Sequence, residues 1–216
     1  AKAKQERNVP QMMKAYLTMM TWRGNISADS FTMDIQDLEA WSQEPGLALQ
    51  DKAVLNSILG GVFIREDFEK GNRYLNLSLK DSLKLVDYPA DKLVPMVKSG
   101  KTSQQYFDNN LYDLLARRAI RLWGENRWGA QRERVERSIQ ETYQSLLYIY
   151  KVRGMRSAWL LTALDAYPQA SEKQLREWMK EFGDLEVCAG VYLRLATILK
   201  WEDRLVESLS TLREGI

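Results

Sequence analysis

The sequence predicts an all-α protein, an array of antiparallel helical hairpins, and three observations lead there. Glycine and proline are scarce, 12 and 5 among 216 residues, whereas strand-rich folds need many turns. Apolar residues recur at helical spacing in one segment after another. The segments are roughly 10–20 residues long with short turns between them, the pattern of stacked hairpins. Apolar residues make up 45% of the chain, the ordinary globular share, so a core can be buried.

Taken in order, the opening AKAKQERN reads as the last turns of a helix, without the apolar stretch of a leader, and the chain is expected to be a fragment of something longer. Asn8-Val9-Pro10 stops that helix, and Pro10 suits the first turn of the next, where a missing N–H costs no bond. Met12, Met13, Tyr16, Leu17, Met19 and Met20 give this second helix a broad apolar face, and Gly24 can take its left-handed cap. Ser27 or Asp29 can N-cap the following helix, with Phe31, Ile35 and Leu38 inside and Glu44-Pro45-Gly46 closing it. The next helix buries Leu47, Val54, Leu55, Ile58, Leu59 and Val62. Gly60-Gly61 in its middle sacrifices about 1 kcal/mol of helix propensity per glycine, which is read as close helix–helix packing. A phosphate-binding turn is excluded, because no strand precedes the pair and no Lys-Ser or Lys-Thr follows it.

Residues 1–67 therefore read as N-terminal hairpins. Residues 68–103 read as an irregular connection, broken by Gly71-Asn72, Tyr88-Pro89, Val94-Pro95 and Ser99-Gly100. Leu75, Leu77 and Leu79 alternate with Asn76 and Ser78 like a short strand, but the expectation is a loop with short helices near 80–86 and 90–98. Residues 104–216 resume the hairpins. Tyr106–Trp123 is the longest unbroken helical pattern, about 27 Å at 1.5 Å per residue. Further helices are expected over 131–152, 155–166, 172–182 with Ser171 as N-cap, 186–199 and 202–214. From Tyr192 the last pair follows the tetratricopeptide template of large and small positions, with Leu195, Ala196, Leu199, Ser208, Leu212 and Gly215. Upstream hairpins fit less well, so the array reads as a degenerate tetratricopeptide-like superhelix.

Composition excludes several chemistries. Thirty-one Lys and Arg against 29 Asp and Glu leave a net charge of +2, too balanced to argue for nucleic acid or a membrane surface. The absence of histidine removes Ser-His-Asp and Cys-His catalysis and imidazole metal ligation. A single cysteine, Cys188, allows no internal disulfide and no cysteine zinc cluster. Cys188 sits among Val187, Val191 and Leu195 and reads as a small buried hydrophobe. The acidic pairs Glu66-Asp67 and Glu202-Asp203 read as exposed charge at turns. No catalytic set, cofactor site or metal site emerges, and the chain is expected not to be an enzyme.

One surface invites a partner. Arg117, Arg118, Arg121 and Arg127 lie with Trp123 and Trp128 in ARRAIRLWGENRW, and arginine interleaved with aromatics suits an anionic or single-stranded partner. The competing reading is a solvated helix face whose arginines pair with Glu125, Glu133 and Glu136. The seven tryptophans read as packing at hairpin junctions, or alternatively as the lining of a peptide groove.

Three segments, AKQERNVPQMMKAYL, KAVLNSILGGVF and YFDNNLYDLLARRAIRLW, together resemble the helical N-terminal region of alpha-2-macroglobulin-like proteins of Bacteroidetes-type bacteria. The resemblance implies a large cell-envelope protein, lipid-anchored through an upstream cysteine, that traps or inhibits proteases as a whole, and in which this region precedes macroglobulin β-sandwich domains as an accessory or scaffolding module. It implies membrane contact only through that anchor, and the near-balanced charge leaves no nucleic-acid partner expected. The family's Cys-Gly-Glu-Gln thioester is not matched here, since Ala189-Gly190-Val191 follows Cys188. The chain would then be a non-catalytic module making protein–protein or interdomain contacts. The alternative is a tetratricopeptide-like adaptor that binds a peptide.

Overall fold

The computed structural model describes residues 5–6, 28–45, 47–86 and 103–215, with only the backbone described at 28–34 and 103–110. The protein is an all-α helical array: the described residues form nine α-helices and no strand. We label them α1 (Ala28–Ser42), α2 (Leu49–Phe63), α3 (Phe68–Lys84), α4 (Ser103–Glu125), α5 (Arg132–Val152), α6 (Arg156–Ala166), α7 (Glu172–Phe182), α8 (Ala189–Trp201) and α9 (Leu205–Glu214). Short 3-10 turns at Gly129–Gln131 and Glu186–Cys188 lead into α5 and α8. The expected methionine-faced helix with its Gly24 cap, the Ser27 or Asp29 cap, Phe31 and the short helix near 90–98 lie outside what is described. So does the helix tail before Pro10, apart from residues 5 and 6.

The chain divides into two compact units, residues 1–136 and 137–216. The core of the first is built from Ile35, Leu38 and Trp41 on α1, Leu55, Ile58 and Leu59 on α2, Tyr74 on α3, and Leu111 and Leu115 on α4. Fully burying each such side chain contributes about 1.5–3 kcal/mol. The α2–α3 hairpin packs unusually closely. A Cβ on Gly60 would lie 2.6 Å from Leu75 Cδ2 and 3.0 Å from the Leu75 backbone nitrogen. One on Gly71 would collide with the Ile64 backbone. Glycine in α2 is thus the consequence of close approach, as its placement in mid-helix suggests.

The expected irregular connection starts instead with the 17-residue helix α3. Its buried face is Gly71, Tyr74, Leu75, Ser78 and Ser82, spaced by three and four. Three of these five are small or polar, so an apolar pattern does not reveal them. Ser78 Oγ donates to the Ala53 carbonyl at 2.7 Å and Ser82 Oγ to the Ser78 carbonyl at 2.8 Å, which hides both hydroxyls from the core. Asp67 caps the helix by accepting from Lys70 N–H at 3.0 Å, so this half of the Glu66-Asp67 pair has a structural task.

In the second unit Leu160, Leu175, Trp178, Phe182, Cys188, Val191, Leu195 and Leu199 form one core. Ser171 caps α7 through Gln174 N–H at 3.3 Å. Trp159 stacks on Phe182 at 5.3 Å and meets Trp178 edge-on at 6.0 Å, a junction of the α6–α7 hairpin. The α8–α9 hairpin touches at the template's small positions. Ser208 Oγ donates to the Ala196 carbonyl at 2.8 Å. A Cβ on Gly215 would lie 2.6 Å from Tyr192 Cβ. These contacts run in opposite chain order, so the pair is antiparallel.

Candidate interaction surface

The arginine–tryptophan stretch does not present all six expected residues. Trp123 is 0% exposed, and its Nε1 donates to Asn72 Oδ1 at 3.0 Å. It is a core residue tying α4 to α3, and the expectation of a surface role is corrected. The cause is register: Tyr112, Leu115, Ala116, Ala119, Leu122 and Trp123 share the buried stripe of α4. Trp128, after the helix has ended, is 74% exposed.

The arginines are largely neutralised. Arg117 Nε lies 2.7 Å from Asp113 Oδ1, Arg121 Nε 3.8 Å from Glu125 Oε1 and Arg132 Nε 2.8 Å from Glu136 Oε1. Glu125 also receives Arg65 at 3.2 Å, and Arg134 pairs with Glu69 at 2.7 Å. Arg118 lies along α2, where a Cβ on Gly61 would be 2.5 Å from its Nη2. Arg127 and Trp128 remain exposed at the α4–α5 turn. Exposed pairs of this kind are worth roughly 0–1 kcal/mol each.

A different constellation joins α1 to α3. Glu39 Oε1 accepts from Tyr74 Oη at 2.7 Å and lies 2.8 Å from Lys70 Nζ. Lys70 Nζ is held 3.7 Å from the centre of the Phe63 ring, which stacks on Tyr74 at 5.9 Å. Burial alone would raise the Glu39 carboxyl, but hydrogen bonds from Lys70 and Tyr74 outweigh it and hold the group below its usual range. Burial, and then the bond to Glu39, push the Tyr74 phenol up to about 12. Beside them opens a cleft of about 520 Å³ lined by Glu39, Ala40, Gln43, Arg73, Tyr74 and Leu77. Sequence reasoning missed it. Lys70, Arg73, Tyr74 and Leu77 do recur at helical spacing, but the pairing with Glu39 bridges 35 positions.

The second unit exposes apolar bulk. Trp201 is 81% and Val206 83% exposed, and Leu193, Leu205 and Leu209 are each more than half exposed. Leu205, Val206 and Leu209 share one face of α9 by helical spacing. Next to them Arg204 binds Glu172 at 2.7 Å, Glu202 at 3.0 Å and Glu207 at 2.7 Å. Hydrogen bonds from Arg204 and then Arg176 lower the Glu172 carboxyl, and Arg204 likewise lowers Glu207. Glu202 thus serves a turn, where Asp203 takes φ 61°. Arg156 closes a second latch, bidentate on Asp184 at 2.6 and 2.8 Å.

Cys188 is buried, and burial, then Asp184, raise its thiol, the opposite of an activated nucleophile. Among the described residues no group of three or more Cys, Asp and Glu is placed to hold a metal ion. No described helix is long and apolar enough to cross a membrane. Fold and surface define an all-α helical array with polar latches and an apolar face on its last hairpin. No protein-family model, curated protein or solved structure matches the chain.

Proposed function

We propose that the chain is a non-catalytic helical-repeat module that makes protein–protein or interdomain contacts, within an alpha-2-macroglobulin-like protein of the cell envelope that traps proteases. The observation behind the contact role is the apolar face of α9. Val206 at 83% and Leu209 at 58% exposure stand on one side of a short helix, and Trp201 at 81% precedes it. Contiguous apolar exposure of this kind marks interaction surfaces. The macroglobulin part rests on the three sequence segments described above, and Cys188, followed by Ala189-Gly190-Val191, is not the family's thioester cysteine.

The test is titration of the chain with recombinant macroglobulin-type β-sandwich domains from the same full-length protein. Saturable binding is expected, weakened about tenfold or more by Val206→Ser with Leu209→Ser, since two buried apolar side chains are worth at least that factor. Absence of binding, or of any β-sandwich domain in the full-length protein, overturns the reading. A second reading, a peptide-binding tetratricopeptide-like adaptor, is favoured by the Ser208–Ala196 and Gly215–Tyr192 contacts of the last hairpin.

A further inference from the structure

We propose that the cleft between α1 and α3 is a binding site for a polypeptide segment of a partner, held through its backbone amides by Glu39 and Arg73. The proposal rests on the contact role above and places a second, separate surface in the first unit.

The cleft is preorganised. Glu39 is fixed from one side, because Tyr74 and Lys70 both contact Oε1, which leaves Oε2 to accept from a ligand. Lys70 is itself held over the Phe63 ring. Arg73 is exposed, with its guanidinium carbon 5.6 Å from the Tyr74 ring centre, and its charge acts on both Tyr74 and Glu39 while most of its N–H groups still face the opening. Acceptor and donor therefore line one opening, with Leu77 and Ala40 as its apolar part.

Charge decides the ligand class. A free anion drawn to Arg73 meets the Glu39 carboxylate in the same cleft. A free cation drawn to Glu39 meets Arg73 and Lys70. A neutral amide satisfies both: its carbonyl accepts from Arg73 and its N–H donates to Glu39 Oε2. A peptide supplies such groups in series, with an apolar side chain to lie on Leu77. The cleft is shallow and open to solvent, so a peptide lies along it rather than entering it.

The test pans a displayed library of random peptides on the full chain and measures the best peptide against variants. Arg73→Ala and Glu39→Gln are each expected to weaken it about tenfold or more, the size of one hydrogen bond to a charged group. Leu77→Asp is expected to do the same by placing a charge on the apolar wall. Arg73 and Leu77 are exposed, so their variants fold even if Glu39→Gln disturbs the Lys70–Tyr74 contacts. N-acetyl-leucinamide should compete better than N-acetylleucine or leucinamide. The proposal fails if no peptide is enriched, if Arg73→Ala and Leu77→Asp bind as the parent does, or if N-acetylleucine is the better competitor. Loss of the peptide in Val206→Ser with Leu209→Ser, and not in the cleft variants, moves the peptide to α9. That overturns this proposal while sparing the contact role.

Discussion

At the scale of single residues, polar contacts set much of the local order. Tyr74→Phe removes the only hydroxyl donor among the described contacts of Glu39 and should cost about 1.5–3 kcal/mol, the worth of a hydrogen bond to a charged group, measured by denaturant unfolding. The carboxyl of Glu39 is depressed in the folded state. Its contribution to stability is therefore present above the ordinary carboxylate pKa and is lost as pH falls through the lower folded value. The melting temperature of the parent should drop over that acidic window, and Glu39→Gln should flatten the drop. An identical acid profile for parent and variant would contradict this. The two tryptophans of the basic stretch should separate sharply. Trp123→Ala is expected to cost about 3–5 kcal/mol, and Trp128→Ala to stay within about 0.5 kcal/mol of the parent. Their sequence neighbourhoods look alike, so junction packing and partner surface are open to both before the fold is known. Only the register of α4 puts one inside and leaves the other past the helix end.

At the scale of elements, legibility followed the kind of side chain used for packing. α5 to α9 were readable because Leu, Val and aromatic residues mark their buried faces and Ser171 or glycine marks their ends. α3 was not, because its face is Gly71, Ser78 and Ser82 as much as Tyr74 and Leu75. Small residues that admit a neighbouring backbone carry no hydrophobic signal, and the Leu75-Leu77-Leu79 alternation points to the wrong period. The glycines test this account in opposite directions. Gly71→Ala should destabilise by about 1–3 kcal/mol through overpacking against Ile64. Gly124→Ala, on α4 with nothing within 4 Å of the new Cβ, should stabilise by up to about 1 kcal/mol through helix propensity. Both are read from chemical denaturation, and a matching sign for the two would refute the packing argument. The cleft was also illegible, since Glu39 and Lys70 belong to different helices and nothing local couples them.

At the scale of the whole molecule, the helical class was legible from the scarcity of turns and the spacing of apolar residues, and a function was not, because no motif in the sequence specifies a chemistry. What the structure adds is a pair of surfaces, the apolar face of α9 and the polar cleft of α1 and α3, each with its own chemistry. The Arg204 network flanks the first. Its carboxylates Glu172 and Glu207 are depressed by hydrogen bonds, so the same sign applies, and acidification below the carboxylate range should loosen α9 from α7. The central claim is that α9 is a contact surface. Hydrogen–deuterium exchange over Leu205–Glu214, compared between this chain alone and the chain mixed with the β-sandwich domains proposed as its partner, addresses it directly. The account predicts slower exchange there in the larger assembly, restored to the isolated rate by Val206→Ser with Leu209→Ser. Equal exchange in both settings would contradict it.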